Sequence, residues 1–348
     1  MHSRSRNWVR MGALGLLALG AGLARSDDAD NKARPGVAPT SRQVRESVMR
    51  GLDFLALDAA KWRKERQCAT CHHGTMTVWA LSEAKSRGYR IEAEWLADTV
   101  TWTKERLKDI DKPRDTRPGW NMVNTPAVYL AMMALTVPDQ DAISADELKQ
   151  IASHLLRHQE PDGSWAWSLA PAKNRPPPVF ESDEVVTLMA DMVLGSQDTK
   201  GESEIRDRRD KAAGWLGKVQ PSGSTQARAL RLFRDVRTGK TPKELQPQID
   251  ALLSRQNADG GWAQDKDLPS DAYASGQVLY FLNLAGVKAD REEIRRAVSF
   301  LVATQKEDGS WPMTPRGHTG EKPATNPVPI TYFGSAWATL GLMRSVPK

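Results

Sequence analysis

Gln159-Glu160-Pro161-Asp162-Gly163-Ser164-Trp165 recurs as Gln256-Asn257-Ala258-Asp259-Gly260-Gly261-Trp262 and as Gln305-Lys306-Glu307-Asp308-Gly309-Ser310-Trp311. The last two copies start 49 residues apart, and the first two start 97 apart, close to two such steps. A fixed period of this size is the mark of a repeat architecture and decides the fold before local propensity does. Helical spacing leads into each copy. Leu148, Ile151, Ala152, Leu155 and Leu156 form one apolar stripe, and Ile294, Ala297, Val298, Leu301 and Val302 form another. Leu245, Ile249, Leu252 and Leu253 follow the same pattern with one gap. These are helices with one buried face. Each Asp-Gly then stops its helix.

A second helix follows each turn and is apolar on most sides: Val185 to Leu194, Val278 to Leu284, and Ala336 to Met343. A helix apolar all round is enclosed on all sides. Each repeat therefore pairs a half-exposed outer helix with an enclosed inner one. Three weaker copies complete the series. The outer and inner segments are Val44–Arg66 with Thr75–Gly88, Glu94–Lys108 with Pro126–Thr136, and Ile205–Val219 with Gln226–Val236. In the last of these the turn is worn to Gln220-Pro221-Ser222-Gly223. Six hairpins side by side can close into a ring, which removes the ends an open solenoid must cap. The expected fold is all-α, an α6/α6 toroid with six inner helices around a central cavity. In this reading the Gln and Trp of the repeat fasten the ring: the aromatic packs under the neighbouring repeat, and the amide satisfies backbone groups at a helix end.

The chain has 348 residues and a formal charge of +6. Its start reads as an export signal: Arg4, Arg6 and Arg10, an apolar run from Met11 to Ala24, and small residues at Ala24-Arg25-Ser26. That run is shorter than the ~20 residues a membrane span needs. A retained N-terminal anchor is the alternative, and the absence of a cysteine near the cleavage point argues against a lipoprotein. Cleavage after Ser26 removes four arginines and no acid, leaving 45 basic and 43 acidic residues. That near-neutral balance is not a nucleic-acid footprint. The expected organisation is a signal peptide over residues 1–26, a disordered tether over 27–40 and a toroid over 41–348. The expected location is periplasmic or extracellular, with no membrane span once the signal is gone.

The two cysteines stand together in Cys68-Ala69-Thr70-Cys71-His72-His73. Two thiols at this spacing with His following are the attachment signature of c-type haem, in which the thiols add to the haem vinyl groups and the imidazole ligates iron. Two other readings stand beside it: a Cys68–Cys71 disulfide, and a metal held by Cys68, Cys71 and His72 or His73. A sixth ligand for iron would come from Met76, Met122, Met132 or Met133, or from His154 or His158 across the ring. His154 and His158 also have the i, i+4 spacing of a metal pair, against which stands a packed or solvated helix face.

The Gln-x-x-Asp-Gly-x-Trp copies resemble the QW repeats of squalene–hopene cyclases and prenyltransferase β-subunits, most strongly over residues 146–343. The Cys68–His73 motif ahead of them resembles that of a group of exported bacterial repeat proteins in the same superfamily. The resemblance implies the α/α toroid and a hydrophobic ligand or polymer as partner. Class II cyclases protonate their substrate with Asp-x-Asp-Asp; the nearest match here is Glu181-Ser182-Asp183-Glu184, with two of three acids changed. The second helical domain of those cyclases has no room in this length. The zinc ligands of the β-subunits are missing, because no cysteine follows Cys71. The Gly-Cys-Gly-Glu-Gln thioester motif of complement-type toroids is absent as well.

Glu181, Asp183 and Glu184 are accordingly the candidate acids, and a buried carboxyl with a raised pKa could donate a proton. Their plainer role is to favour the start of a helix that Ser182 caps; Ser270-Asp271 reads the same way. In a toroid the turns into the inner helices share one end. Cys68 to His73, Asn121, Asn124, Glu181 to Glu184, Ser222 to Gln226, Asp271 and Tyr332 should therefore ring one mouth, a usual place for a ligand pocket. Two long connections, Ala166–Phe180 and Pro312–Thr331, would form lips over it or be plain surface loops. Three functions follow from this reading: a ligand- or partner-binding toroid carrying haem c, a terpene-cyclase-like or lyase-like enzyme using Glu181 and Asp183, or a scaffold with a disulfide.

Overall fold

The QW spacing predicts alternating outer and inner helices, and the structure, a computed structural model, has them. It describes residues 38–66, 69, 72–105, 107–110, 125–137, 141–166, 182–198, 203–221, 223–315 and 327–346. The outer helices are α1 (Ser41–Arg66), α3 (Ala93–Lys104), α5 (Ala145–Arg157), α7 (Ser203–Lys218), α9 (Pro242–Leu253) and α11 (Glu292–Thr304). The inner helices are α2 (Thr75–Ser86), α4 (Thr125–Ala134), α6 (Asp183–Gln197), α8 (Thr225–Arg237), α10 (Ala272–Leu284) and α12 (Pro327–Arg344). All belong to one compact unit, Ala33–Lys348. A two-residue hairpin, β1 (Trp262–Ala263) with β2 (Ser270–Asp271), pairs antiparallel ahead of α10.

The inner helices contact one another in the order α2, α4, α6, α8, α10, α12 and back to α2, so the ring closes. Closure comes from the repeat itself. Gln159 Nε2 donates to the Gly163 carbonyl of its own turn (2.9 Å) and to Arg208 in the next outer helix (2.7 Å). Gln256 does the same with Gly260 (2.9 Å) and Glu293 (2.6 Å). Gln305 bonds Gly309 (3.0 Å) and Ser47 (2.9 Å), and its next outer helix is α1. The last turn is thereby stitched to the first helix of the chain. One turn further along, each Asp-Gly glycine meets the next helix's backbone. A Cβ on Gly309 would lie 2.3 Å from the Arg50 carbonyl oxygen, and its φ of +85° suits glycine.

The tryptophans lie beneath these turns. The indole N–H groups of Trp165, Trp262 and Trp311 donate to the carbonyls of Leu155, Leu252 and Leu301, at 2.9, 2.8 and 2.7 Å. Their backbone N–H groups donate to Thr187, Ser275 and Ser335 on the following inner helix. Each ring therefore pins its own outer helix to its own inner helix while burying a large apolar area, with no polar group stranded.

The helix ends follow the caps. Thr40 and Gln43 exchange hydrogen bonds at the start of α1. Ser144 with Glu147, and Thr241 with Glu244, form capping boxes on α5 and α9. One boundary needs correction. The proline-rich connection expected to run to Thr331 ends sooner, because α12 begins at Pro327. Prolines in a helix's first turn lack a donor that would have no intrahelical partner in any case. α10 and α12 then approach backbone to backbone: a Cβ on Gly276 would lie 2.2 Å from the Trp337 carbonyl carbon.

Aromatic rings occupy the ring's interior. Trp79 of α2 meets Tyr280 of α10 at 5.9 Å, and Tyr129 of α4 meets Phe333 of α12 at 6.4 Å. Neither pair of helices is adjacent in the ring, so these side chains cross its interior. Trp79 also meets Trp337 at 5.3 Å, and all of these rings are fully buried. At this level the expected central cavity is filled by side chains.

Candidate functional site

The inner helices run parallel, which brings their N-termini to one end. Tyr332, early in α12, lies against His73 and Thr77 at the start of α2. Tyr273 of α10 meets Phe333 of α12. Gln264 ties the starts of α8 and α10 together through Thr225 and Asp271.

At this mouth the first repeat differs from the others. Residues 72–74, immediately ahead of α2, bring two imidazoles against α12. His73 is fully buried, sandwiched between Trp62 (4.3 Å, nearly parallel) and Tyr332 (3.8 Å). Its Nε2 pairs with Asp58 Oδ2 at 2.9 Å. Its Nδ1 faces Nδ1 of His72 in a close hydrogen bond. Asp58 and Trp62 come from the last turns of α1, four residues apart on one face. The Tyr332 hydroxyl donates to the Leu55 carbonyl (2.9 Å), and the Thr77 hydroxyl lies between that oxygen and the His73 carbonyl.

This chain of contacts fixes the protons. A carboxylate only accepts, so His73 carries its hydrogen on Nε2 and accepts at Nδ1. His72 must then donate from Nδ1, which leaves its Nε2 with the lone pair. That nitrogen has no hydrogen-bond partner among the described residues. Burial pushes the His72 pKa well below the usual histidine value, and the adjacent His73 pushes it the same way. Burial also lowers His73, against the opposing pull of Asp58. Both rings are neutral at pH 7. Around His72 stand Trp62 (5.0 Å), Phe333 (5.7 Å) and Tyr332 (6.4 Å). Burial likewise raises the Tyr332 pKa far above its normal value.

The remaining expected site residues divide. Cys68, Cys71, Asn121, Met122, Asn124, Glu181 and Ser222 lie outside the described residues, as does most of both proline-rich connections. Asp183 starts α6, with Ser182 accepting the Val185 N–H at 3.4 Å. Glu184 is buried and paired with Arg231 of α8. Asp271 caps α10 through the Ala274 N–H (2.9 Å), while its other oxygen takes Gln264 and the Thr314 N–H (2.9 Å). His154 and His158 stack on each other at 4.0 Å on α5, with His158 Nδ1 on the His154 carbonyl. α5 contacts α4 and α6, a different part of the ring from α2. Among the described residues no group of three His, Cys, Asp or Glu side chains has the arrangement of a metal site.

Sequence reasoning missed a second cluster, at the opposite end of the ring. Glu83 of α2 is 1% exposed and bonds Arg87 (2.7 Å), Arg344 (2.9 Å) and the Tyr280 hydroxyl (3.1 Å). Arg344 also donates to the Thr136 carbonyl (2.8 Å) and lies over the Tyr280 ring (4.6 Å). Burial and the Glu83 charge raise the Tyr280 pKa far above its usual value. A charged residue inside an otherwise apolar inner helix was the available signal, at Glu83 as at Asp191.

Residues 219–347 match the family model of the squalene–hopene cyclase C-terminal domain. The repeat region is squalene-cyclase-like. Squalene–hopene cyclase of Zymomonas mobilis is 28% identical over 123 residues, 35% of this chain and 18% of that protein. The squalene-cyclase-like match thus spans about a fifth of that relative's length. Two solved structures share the fold. The type II terpene cyclase MstE of Scytonema, bound to geranylgeranyl dihydroxybenzoate, aligns at a TM-score of 0.52 and 16% identity over 88% of this chain and 97% of that one. Unsaturated glucuronyl hydrolase of Bacillus sp. GL1 aligns at 0.55 and 14%, over 88% and 96%. One is a cyclase and the other a hydrolase, so the squalene-cyclase-like toroid fixes architecture and leaves chemistry to the site.

Proposed function

We propose that this is an exported squalene-cyclase-like toroid carrying covalent haem c at the turn of its first repeat, with Cys68 and Cys71 as attachment points and His72 as axial ligand. The observation that carries the reading is the His72–His73–Asp58 chain. An iron-ligating imidazole needs a lone pair on one nitrogen and a fixed hydrogen bond on the other, and this arrangement supplies both. Bound there, haem would bring one-electron redox chemistry. The protein's part would be to hold and orient His72 through His73 and Asp58, and to exclude water with Trp62, Tyr332 and Phe333. The cysteine spacing supports the thioether bonds from sequence alone. Export suits the reading, because c-type haem is attached outside the cytoplasm; no helix of the described residues is long and apolar enough to cross a membrane.

The fold is equally compatible with a terpene-cyclase-like enzyme using Glu181 and Asp183, and the haem reading is preferred on the histidine chain above. Of the other acids at this end, Glu184 is paired with Arg231, and Asp271 caps α10 with one oxygen while the other takes Gln264 and the Thr314 N–H. A bulky hydrophobic ligand of the kind MstE was captured with would have to part the aromatic contacts that cross the ring. A hydrophobic ligand or polymer would instead meet the mouth. The test is absorption spectroscopy of protein produced alongside c-type haem attachment machinery. A Soret band that survives acid–acetone extraction, and disappears in the Cys68→Ser, Cys71→Ser chain, is expected. His72→Ala should shift the band. A colourless protein would overturn the proposal.

A further inference from the structure

A cavity of about 250 Å³ lies between α6, α8 and α9, outside the interior aromatic cluster. Three arginines of α8 line it, Arg228, Arg231 and Arg234, at i, i+3 and i+6. Among the six inner helices, α8 alone carries arginines through its middle turns. Residues three apart on a helix are surface neighbours, so their heads gather on one side.

The charges there do not balance. Arg231 pairs with Glu184. Arg234 (2.6 Å) and Arg209 (3.0 Å) share Asp191. Asp235, the other acid of the lining, is held by Lys240 (2.6 Å) and Gln248. The Arg228 side chain makes no hydrogen bond or ion pair with the described residues, and its Nε is buried without an acceptor. Arg255, nearby, donates to the Gly223 carbonyl (3.0 Å). Burial and the Arg228 charge lower its pKa, partly offset by Asp265. Every acid in the lining thus has its cation, and Arg228 is in excess. A buried guanidinium N–H without an acceptor is costly and is ordinarily met by water or ligand.

The fourth turn, Gln220-Pro221-Ser222-Gly223, lacks the tryptophan that the third, fifth and sixth turns insert, and Pro221 of that turn lines the cavity.

We propose that this cavity is a binding site for a small oxyanion, a carboxylate or phosphate group, taken bidentately by Arg228 and flanked by Arg231 and Arg234. The guanidinium fork matches two oxygens of either group. The volume suits a short organic acid or a small phosphate ester and not a polyprenyl chain. The site is independent of the first-repeat turn and of whether haem is bound there.

The test is calorimetric titration of the full chain with inorganic phosphate and with succinate, sodium chloride holding ionic strength constant. Saturable binding of at least one is expected, and the stronger of the two identifies the headgroup. Arg228→Gln should weaken it by at least about tenfold, as expected for loss of a charge-assisted pair. Ala251→Glu places a carboxylate at the exposed rim on α9 and should weaken it similarly without disturbing the fold, as read by circular dichroism. Absence of saturable binding to both anions, or equal affinity in Arg228→Gln, would overturn the proposal.

Discussion

The sixth turn and the first turn occupy equivalent places, each leading from an outer helix into an inner one, and they are built from opposite materials. At the sixth, Trp311 fills the slot and bonds the Leu301 carbonyl, while Gln305 ties the turn to α1. The Gln305 Oε1 also accepts from Ser47 (2.7 Å) and from Arg50 Nε (3.2 Å) of α1. At the first, Trp62 of α1 stacks on His73, whose Nε2 pairs with Asp58. The entry to an inner helix can fasten the ring or hold a neutral, oriented imidazole.

The sharpest way to break this contrast is to remove the fastener. Trp311→Ala should cost about 3–5 kcal/mol of unfolding free energy, as for other buried aromatics, read by urea denaturation. The haem spectrum of the molecules that remain folded should not change. A variant of near-native stability would show that the turn tryptophans are not what holds the repeats.

Both turns rest on α12, whose far end is held by Glu83. Glu83→Ala leaves Arg87 and Arg344 without their carboxylate, and removing one member of a buried charge network costs about 3–5 kcal/mol. Because Arg87 and Arg344 are each about one-tenth exposed, the lower end of that range is expected. Gln305→Ala should have a smaller effect, about 1–3 kcal/mol, as it strands the Ser47 and Gly309 carbonyls. The measurement is the same, and a cost above that of Trp311→Ala would reverse the proposed order of packing over hydrogen bonding.

The smallest effect probes the first turn. In the Cys68→Ser, Cys71→Ser chain, which cannot hold haem covalently, both histidines have folded-state pKa values below their unfolded ones. The unfolded chain then takes up protons first as acidity rises. Stability should be constant above about pH 6.5, the ordinary histidine value, and fall as pH drops toward the folded values. Melting temperature against pH measures this, and His72→Phe should flatten the curve. A melting temperature that rises on acidification would contradict the burial of neutral imidazoles.

The fold was legible because its information is local and repeated. Gln256 to Trp262 predicts a turn, a buried ring and a helix on either side, and three copies at one period leave little choice of architecture. The site was less legible because its partners are distant in the chain. His72 was visible beside the cysteines, whereas Tyr332 reaches Thr77 across 255 residues and Arg344 reaches Glu83 across 261. Asp58 and Trp62 were hidden in an outer helix whose exposed face is rich in charge. Glu184 and Asp271 read alike in sequence as acids at helix starts. Only three-dimensional neighbours separate them: an arginine of α8 for one, and the Thr314 N–H for the other.

The most direct test of the account is the intact mass of the purified chain, produced with the haem attachment machinery and followed by peptide mapping across residues 68–73. The expected mass is that of the mature chain plus one haem, carried on the peptide that contains both cysteines. A mass two hydrogens below that of the fully reduced chain, with Cys68 and Cys71 joined to each other, would contradict it.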